Sequence, residues 1–200
     1  MIANKKSLVW HRAKLLALIV IFLSPYIGGW MALYVFDLRP ESKNYGSLVV
    51  PPLKMNWPGL NSISGAQYKN GFGKKWTFLM FTRESCTEQC RSNLYTMRQI
   101  RTLLGRDTSR LQNVLISAVP IGAEMAAILS DYPNLVVIDN YVDEAFYSQF
   151  RISDIEGVGS TPRLYLVDPD QNYMMHYPAQ NDHYRILEDI KKLLKLSQIG

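Results

Sequence analysis

Cysteine and histidine are scarce in this sequence. Only two cysteines, Cys86 and Cys90, and three histidines occur among its 200 residues, which excludes a disulfide-rich scaffold. Lysine and arginine (22) outnumber the acids (17), but they form no stripe with interleaved aromatics, so we expect no nucleic-acid partner. Internal repeats and low-complexity tracts are also absent. The remaining composition, 48% apolar and 20% charged residues, is typical of a globular chain.

One long segment has no charge at all. Residues 15–36, LLALIVIFLSPYIGGWMALYVF, are long enough to cross a bilayer, for which about 20 residues suffice. Only basic charges precede this segment, whereas the charges in residues 37–43 are balanced. The positive-inside rule therefore predicts a single-pass protein of a bacterial inner membrane, with residues 1–14 cytoplasmic and the C-terminal domain periplasmic.

Two other interpretations of this segment are a cleaved signal peptide and a buried core helix. A signal peptide has an apolar region of about 7–15 residues that ends in a small-residue cleavage site. The apolar run here is longer, and it ends in the sequence WMALYVFDLRP, whose residues are mostly bulky. A core helix rarely lacks charge over such a length. These features favour an uncleaved anchor.

The rest of the chain divides into a linker and a domain. Residues 37–71 are rich in Pro, Gly, Asn and Ser, which predicts a linker with edge segments, including one edge strand in NYGSLVVPP that Pro51 and Pro52 end. Residues 72–200 alternate short apolar runs with helical patterns. The runs KWTFLMF, NVLISAVP, NLVVID, RLYLVD and YMMHYP are predicted strands. We therefore predict an α/β domain with a mixed sheet flanked by helices.

The two cysteines lie where a predicted strand gives way to a predicted helix. Cys86 follows the strand, and Cys90 falls in the first turn of the helix. A helix N-terminus favours a thiolate over a thiol, and residues four apart share a helix face. The two sulfurs can therefore form a disulfide or bind a soft ion such as Cu(I). In thiol–disulfide exchange, we expect Cys86 to attack and Cys90 to resolve the mixed disulfide.

The pair also has two simpler interpretations. Both cysteines can be small, inert core residues, or they can form a purely structural disulfide. Closing so short a loop constrains the unfolded chain little, so such a disulfide would stabilise the fold only modestly. The strand-to-helix position and the predicted oxidising compartment favour a functional pair.

The order of these features resembles the thioredoxin-like superfamily. Thr161-Pro162 precedes the predicted strand RLYLVD, and the resemblance implies that Pro162 is cis and lies beside the cysteine pair. The spacing in FTRESCTEQCRSNL, the N-terminal anchor and the stretch LYLVDPDQN resemble the Sco/SenC group, membrane-tethered copper proteins of cytochrome c oxidase assembly. This second resemblance covers roughly residues 50–196 as an order of elements.

The sequence departs from the Sco/SenC pattern at two places. The histidine that completes the copper site in that group is missing from the matching stretch GVGSTPR, and Arg91 stands where a proline usually follows the second cysteine. His176 lies next to Met174 and Met175 on the predicted hairpin, where we expect a core or surface role. The resemblance thus implies a site of Cys86, Cys90 and Pro162, with no certain cofactor and Cu(I) as the metal that the two cysteines would bind.

Three functions follow from these features. The leading hypothesis is a protein that assists cytochrome c oxidase assembly through thiol–disulfide exchange or transient Cu(I) handling, with a respiratory oxidase subunit or assembly factor as its partner. As an enzyme, it would be a thiol–disulfide oxidoreductase. The alternatives are a non-catalytic copper-binding module and a scaffold with a structural disulfide.

Overall fold

The computed structural model describes residues 3–35, 44–83, 85–139, 141, 143–150 and 163–197. These residues belong to two compact units, Met1–Lys43 and Asn44–Gly200. In the first unit, helix α1 spans Ala3–Tyr34. Its segment Trp10–Met31 is long and apolar enough to cross a membrane, and none of that segment is buried. The predicted N-terminal apolar helix of membrane-spanning length is therefore confirmed.

In the second unit, the described strands and helices alternate along most of the chain. The strands are β1 (Ser47–Lys54), β2 (Leu60–Asn61), β3 (Gln67–Tyr68), β4 (Trp76–Thr82), β5 (Leu111–Ser117), β6 (Leu135–Ile138), β7 (Leu164–Val167) and β8 (Asn172–Tyr177). The helices are α2 (Glu88–Leu103), α3 (Ala123–Leu129), α4 (Glu144–Ser148) and α5 (His183–Leu196), with a 3₁₀ segment at Gly105–Arg110.

Six of the described strands form one mixed sheet in the order β1-β8-β7-β4-β5-β6. Strands β4, β5 and β6 are parallel, whereas β7 runs antiparallel to β4 and to β8. Strands β2 and β3 form a separate antiparallel pair. All seven residues of β4 are buried, as expected for a central strand covered on both faces. The predicted mixed sheet flanked by helices is confirmed.

Each face of the sheet carries its own apolar cluster. Successive β4 residues alternate between the clusters, with Phe78 and Met80 on one face and Leu79 and Phe81 on the other, as strand geometry requires. The first cluster, here called the cysteine-side cluster, contains Cys86, Cys90 and buried residues of α2, α3 and α5. The second is rich in aromatic rings, including those of α4.

Strand β1 differs from its prediction in where it ends. It lies at the sheet edge, as predicted, but continues through Pro51 and Pro52 to Lys54. Leu48 pairs with Met175 and Leu53 with Tyr173 of β8, and the register shifts between them. The prolines fall in this irregular stretch, where no regular ladder requires the N–H groups that proline lacks.

Candidate functional site

The site begins at the short loop that joins β4 to α2. Strand β4 ends at Thr82, and Cys86 lies in the loop before Thr87, the N-cap of α2. The Thr87 hydroxyl oxygen accepts a hydrogen bond from the Cys90 backbone N–H at 3.3 Å. This cap starts the helix at Glu88 and directs Cys90 into the core. The cysteines thus occupy the strand-to-helix junction that the sequence predicts.

Cys86 and Cys90 form a disulfide, with their Cα atoms 5.3 Å apart. The two side chains differ in access, because Cys86 is 9% exposed and Cys90 is 0% exposed. An incoming thiolate therefore reaches the Cys86 sulfur before the Cys90 sulfur. Cys86 is thus the more accessible of the two cysteines.

A pocket of about 280 Å³ opens beside Cys86. Its walls come from the ends of β4 and β5, which pair Thr82 with Ser117, and from the loop and helix after β5. The Ala118 N–H donates to the Thr82 carbonyl at 2.8 Å, and the Ser117 hydroxyl donates to the Val119 carbonyl at 2.7 Å. These bonds fix the loop that forms the wall. The pocket is lined by Thr82, Ser85, Cys86, Ser117, Val119, Pro120, Ile121, Gly122, Ala123, Glu124, Met125 and Ile128.

The arginines near the pair are matched by acids. Arg83 forms an ion pair with Glu144 at 2.9 Å, and Arg91 forms one with Glu124 at 3.2 Å. Their positive charge is therefore largely compensated locally. The N-terminus of α2 is the remaining feature that favours a thiolate at this position.

Two other residues considered in the sequence analysis are Pro162 and His176. Pro162 lies outside the described residues. His176 lies on β8 between Met175 and Tyr177, which both point into the cysteine-side cluster, so its side chain points to the opposite face. Burial, and then the positive charge of Arg163, lower the pKa of His176. Within the described residues, its Nδ1 atom is buried without a hydrogen-bond partner.

Sequence reasoning missed Met125 and the wall after β5. Met125 is 8% exposed and belongs to the cysteine-side cluster. A signal for it was present, since ligands bind at the carboxyl ends of parallel strands and α3 follows the predicted strand NVLISAVP. The pairing of β5 with β4, which brings that end beside Cys86, is not visible in the local sequence.

The donor atoms at the site suit a soft metal ion once the disulfide is reduced. Thiolate and thioether sulfurs favour Cu(I), and Cys86, Cys90 and Met125 supply both kinds. Among the described residues, no group of three or more His, Cys, Asp or Glu side chains is arranged to hold a metal. The fit to Cu(I) therefore rests on sulfur.

Comparisons with solved structures give a consistent fold. Yeast Sco1 with copper bound has 19% identity, covers 74% of this chain and 95% of its own, and superposes with a TM-score of 0.59. Apo Sco1 from Thermus thermophilus has 19% identity, covers 78% of this chain and 100% of its own, and superposes with a TM-score of 0.58. BsSco has 14% identity, covers 74% of this chain and 96% of its own, and superposes with a TM-score of 0.55. It is a member of the Sco family of cytochrome c oxidase assembly proteins and has a disulfide switch.

At these identities, the structural likeness establishes a Sco-like thioredoxin fold and nothing finer. A search of curated proteins gives no match. A family model of the transmembrane-like, thioredoxin-like C-terminal domain matches residues 76–197, from the first residue of β4 to the residue after α5. The chain therefore belongs to the family of transmembrane-like, thioredoxin-like C-terminal domains.

Proposed function

We propose that this protein is membrane-anchored and extracytoplasmic, and that it assists cytochrome c oxidase assembly through Cys86 and Cys90. Its chemistry is thiol–disulfide exchange or transient transfer of Cu(I). The observation that carries the proposal is the Cys86–Cys90 disulfide at the start of α2, in which Cys86 is more exposed than Cys90. The Sco-like fold supports the choice of pathway, since BsSco belongs to a family of oxidase assembly proteins.

In the exchange reaction, the reduced protein gives two electrons to a partner disulfide. The Cys86 thiolate attacks one partner sulfur, which forms a mixed disulfide and releases the other partner sulfur as a thiolate. The Cys90 thiolate then attacks the Cys86 sulfur, which re-forms the internal disulfide and releases the second partner sulfur as a thiolate. The N-terminus of α2 favours the thiolate form required for each attack.

The partner is a respiratory oxidase subunit or an assembly factor. Anchoring by α1 would hold the domain near such a membrane complex, and the periplasm would allow the disulfide to persist. Pro162, which the thioredoxin-like resemblance puts beside the cysteine pair, would shape the face on which an extended segment of the partner docks.

The exchange proposal is tested with single-cysteine variants of the full chain in detergent. In Cys90→Ser, we expect Cys86 to react rapidly with an excess of a small aromatic disulfide and to keep the mixed disulfide. In Cys86→Ser, we expect a reaction at least about tenfold slower, because the thiolate is the nucleophile and access limits its rate. The measurement is stopped-flow absorbance of the released thiol, with the double variant as the background control.

Equal rates in the two single variants would contradict the assigned roles.

The scaffold hypothesis has a separate test, which is the rescue of oxidase activity in cells that lack this protein. Full rescue by the variant with both cysteines replaced by serine would favour a scaffold and overturn the exchange and copper chemistry together.

A further inference from the structure

We propose that Met125 supplies the third sulfur ligand when the reduced pair Cys86–Cys90 binds Cu(I). The inference rests on the copper part of the proposed function and names the residue that takes the place of the missing histidine. It starts from the position of Met125, the buried residue of α3. Met125 shares the cysteine-side cluster with both cysteines and lines the same pocket as Cys86.

An ion pair joins the first turns of α2 and α3, which carry Cys90 and Met125. Arg91 immediately follows Cys90, Glu124 immediately precedes Met125, and the Arg91 guanidinium lies 3.2 Å from the Glu124 carboxylate. Both charged side chains are largely exposed, so the pair contributes little stability. The pair serves as a geometric marker, because it shows that side chains from the first turns of α2 and α3 reach each other.

The backbone that connects β5 to α3 also fixes the position of Met125. Thr82 and Ser117 end the paired strands β4 and β5, and the Ala118 N–H bonds to the Thr82 carbonyl at 2.8 Å. The chain then enters α3 at its N-cap, Gly122. The side chain of Met125 is thus carried to the pocket by a short, hydrogen-bonded connection.

The chemistry of the three sulfurs matches Cu(I). Two thiolates and one thioether form a soft donor set, and the complex they make with Cu(I) carries one negative charge. The N-terminus of α2 favours that charge. Of the two histidines in the unit Asn44–Gly200, His176 points to the opposite face of the sheet, and His183 lies at the start of α5 against Tyr184, with 4.2 Å between ring centroids.

Loading requires that the disulfide be reduced first. A partner dithiol supplies two electrons and two protons, becomes a disulfide itself and leaves Cys86 and Cys90 as thiols. Cu(I) then replaces the two thiol protons, which pass to solvent. The thioether of Met125 has no proton to lose and completes the coordination.

The competing role of Met125 is packing, for which methionine is well suited. The variant Met125→Leu separates the two roles, because leucine keeps similar volume but has no sulfur. Met97→Leu is the matched control. Met97 is buried in the same cluster, but it lies on α2 and lines a different pocket, beside Arg98 and Tyr132.

The first measurement is Cu(I) affinity of the full chain in detergent, by competition with a chromophoric chelator under anaerobic, reducing conditions. We expect one Cu(I) per chain, and no binding after Cys86→Ser or Cys90→Ser. Met125→Leu should weaken binding at least about tenfold, the loss that removing even an indirect partner of a metal causes. Met97→Leu should leave the affinity unchanged, and thermal unfolding of both leucine variants checks that they fold.

The second measurement is copper-edge X-ray absorption on selenomethionine-labelled protein. A Cu–Se scattering path should be present in the wild type and in Met97→Leu and absent in Met125→Leu. If the wild type binds no Cu(I), the copper part of the proposed function fails and this inference fails with it. If binding needs both cysteines but shows no Cu–Se path, or a nitrogen or oxygen third donor, the Met125 assignment alone is overturned.

Discussion

Thr87 links the chemistry of the cysteine pair to the start of α2. Its hydroxyl oxygen caps the Cys90 N–H, so the residue between the cysteines that begins the helix also sets which sulfur is buried. Cys90 is enclosed by the cysteine-side cluster, whereas Cys86 borders the pocket. The asymmetry that we propose between attack by Cys86 and resolution by Cys90 therefore rests on the start of α2 and on the position of the pocket.

His176 should make the stability of the protein depend on pH. Its pKa in the folded state is lowered from 6.5, chiefly by burial and then by Arg163. Between that lowered value and 6.5, the unfolded chain binds a proton that the folded chain does not, so the free energy of unfolding rises with pH. We expect stability to fall as the pH drops below 6.5.

The variant His176→Gln tests this expectation by urea unfolding of the oxidised protein at several pH values between 5 and 7. Removing one titrating group should reduce the slope of unfolding free energy against pH by up to about 1.4 kcal/mol per pH unit. If the wild type and the variant have the same slope, another group controls the pH dependence in this range.

At the scale of elements, local sequence patterns predict some positions well and others poorly. The spacing of Leu94, Met97, Ile100, Leu103 and Leu104 predicts the buried face of the helix after β4, and all of them are buried except Leu103, which is 41% exposed. In α5, the spacing of Tyr184, Leu187, Ile190 and Leu194 predicts one buried face, but Tyr184 is 64% exposed and Ile186 is buried instead. Tyr184 lies outside the cluster that contains Ile186, Leu187 and Ile190, and periodicity alone does not locate that edge.

Contacts between distant parts of the chain account for the rest of what the sequence does not reveal. Strand β1 continues through two prolines because the register of its partner β8 shifts beside them. Met125 lines the pocket beside Cys86 because β5 pairs with β4. Both effects depend on strand order, which the spacing of apolar residues does not encode. The cysteine pair was predictable because its strand, cap and helix are contiguous.

Asp189 joins α5 to the segment that leads into β1. It is 2% exposed, and one of its carboxylate oxygens accepts hydrogen bonds from the Tyr45 and Gly46 N–H groups at 2.8 and 2.9 Å. A side chain at Gly46 would collide with Met175 and Tyr177, so the backbone passes close to β8 there. The Asp189 carboxylate thus provides a hydrogen-bond acceptor for these two backbone N–H groups, one of which is buried and the other partly buried.

Replacing Asp189 with alanine should release the segment before β1 from α5. Two backbone N–H groups lose their acceptor, so we expect a loss of about 1–3 kcal/mol in unfolding free energy. Hydrogen exchange should also speed up at residues 45–48 before it does so in β4. Glu188→Ala is the matched control, because Glu188 is its exposed neighbour on the same helix and should change stability by less than about 0.5 kcal/mol. Equal losses in both variants would rule out the anchoring role.

At the scale of the whole molecule, the two units differ in whether their apolar side chains are buried or exposed. In Asn44–Gly200, the apolar side chains largely pack into two clusters on a mixed sheet. In α1, no residue of the segment Trp10–Met31 is buried, and the segment is long and apolar enough to cross a membrane. The proposed anchor and the proposed periplasmic redox site therefore belong to separate units of one chain, and the orientation of α1 decides which compartment the cysteines face.

That orientation is tested by fusing alkaline phosphatase, which is active only in the periplasm, after Gly200. The basic residues before the apolar segment should keep the N-terminus in the cytoplasm, so we expect an active fusion that sediments with the membrane at its full length. The control is the same fusion on a chain that begins at Asn44, which should be inactive and remain in the soluble fraction. An inactive full-length fusion would reverse the orientation, and an active but shortened fusion released from the membrane would identify a cleaved signal peptide instead of an anchor.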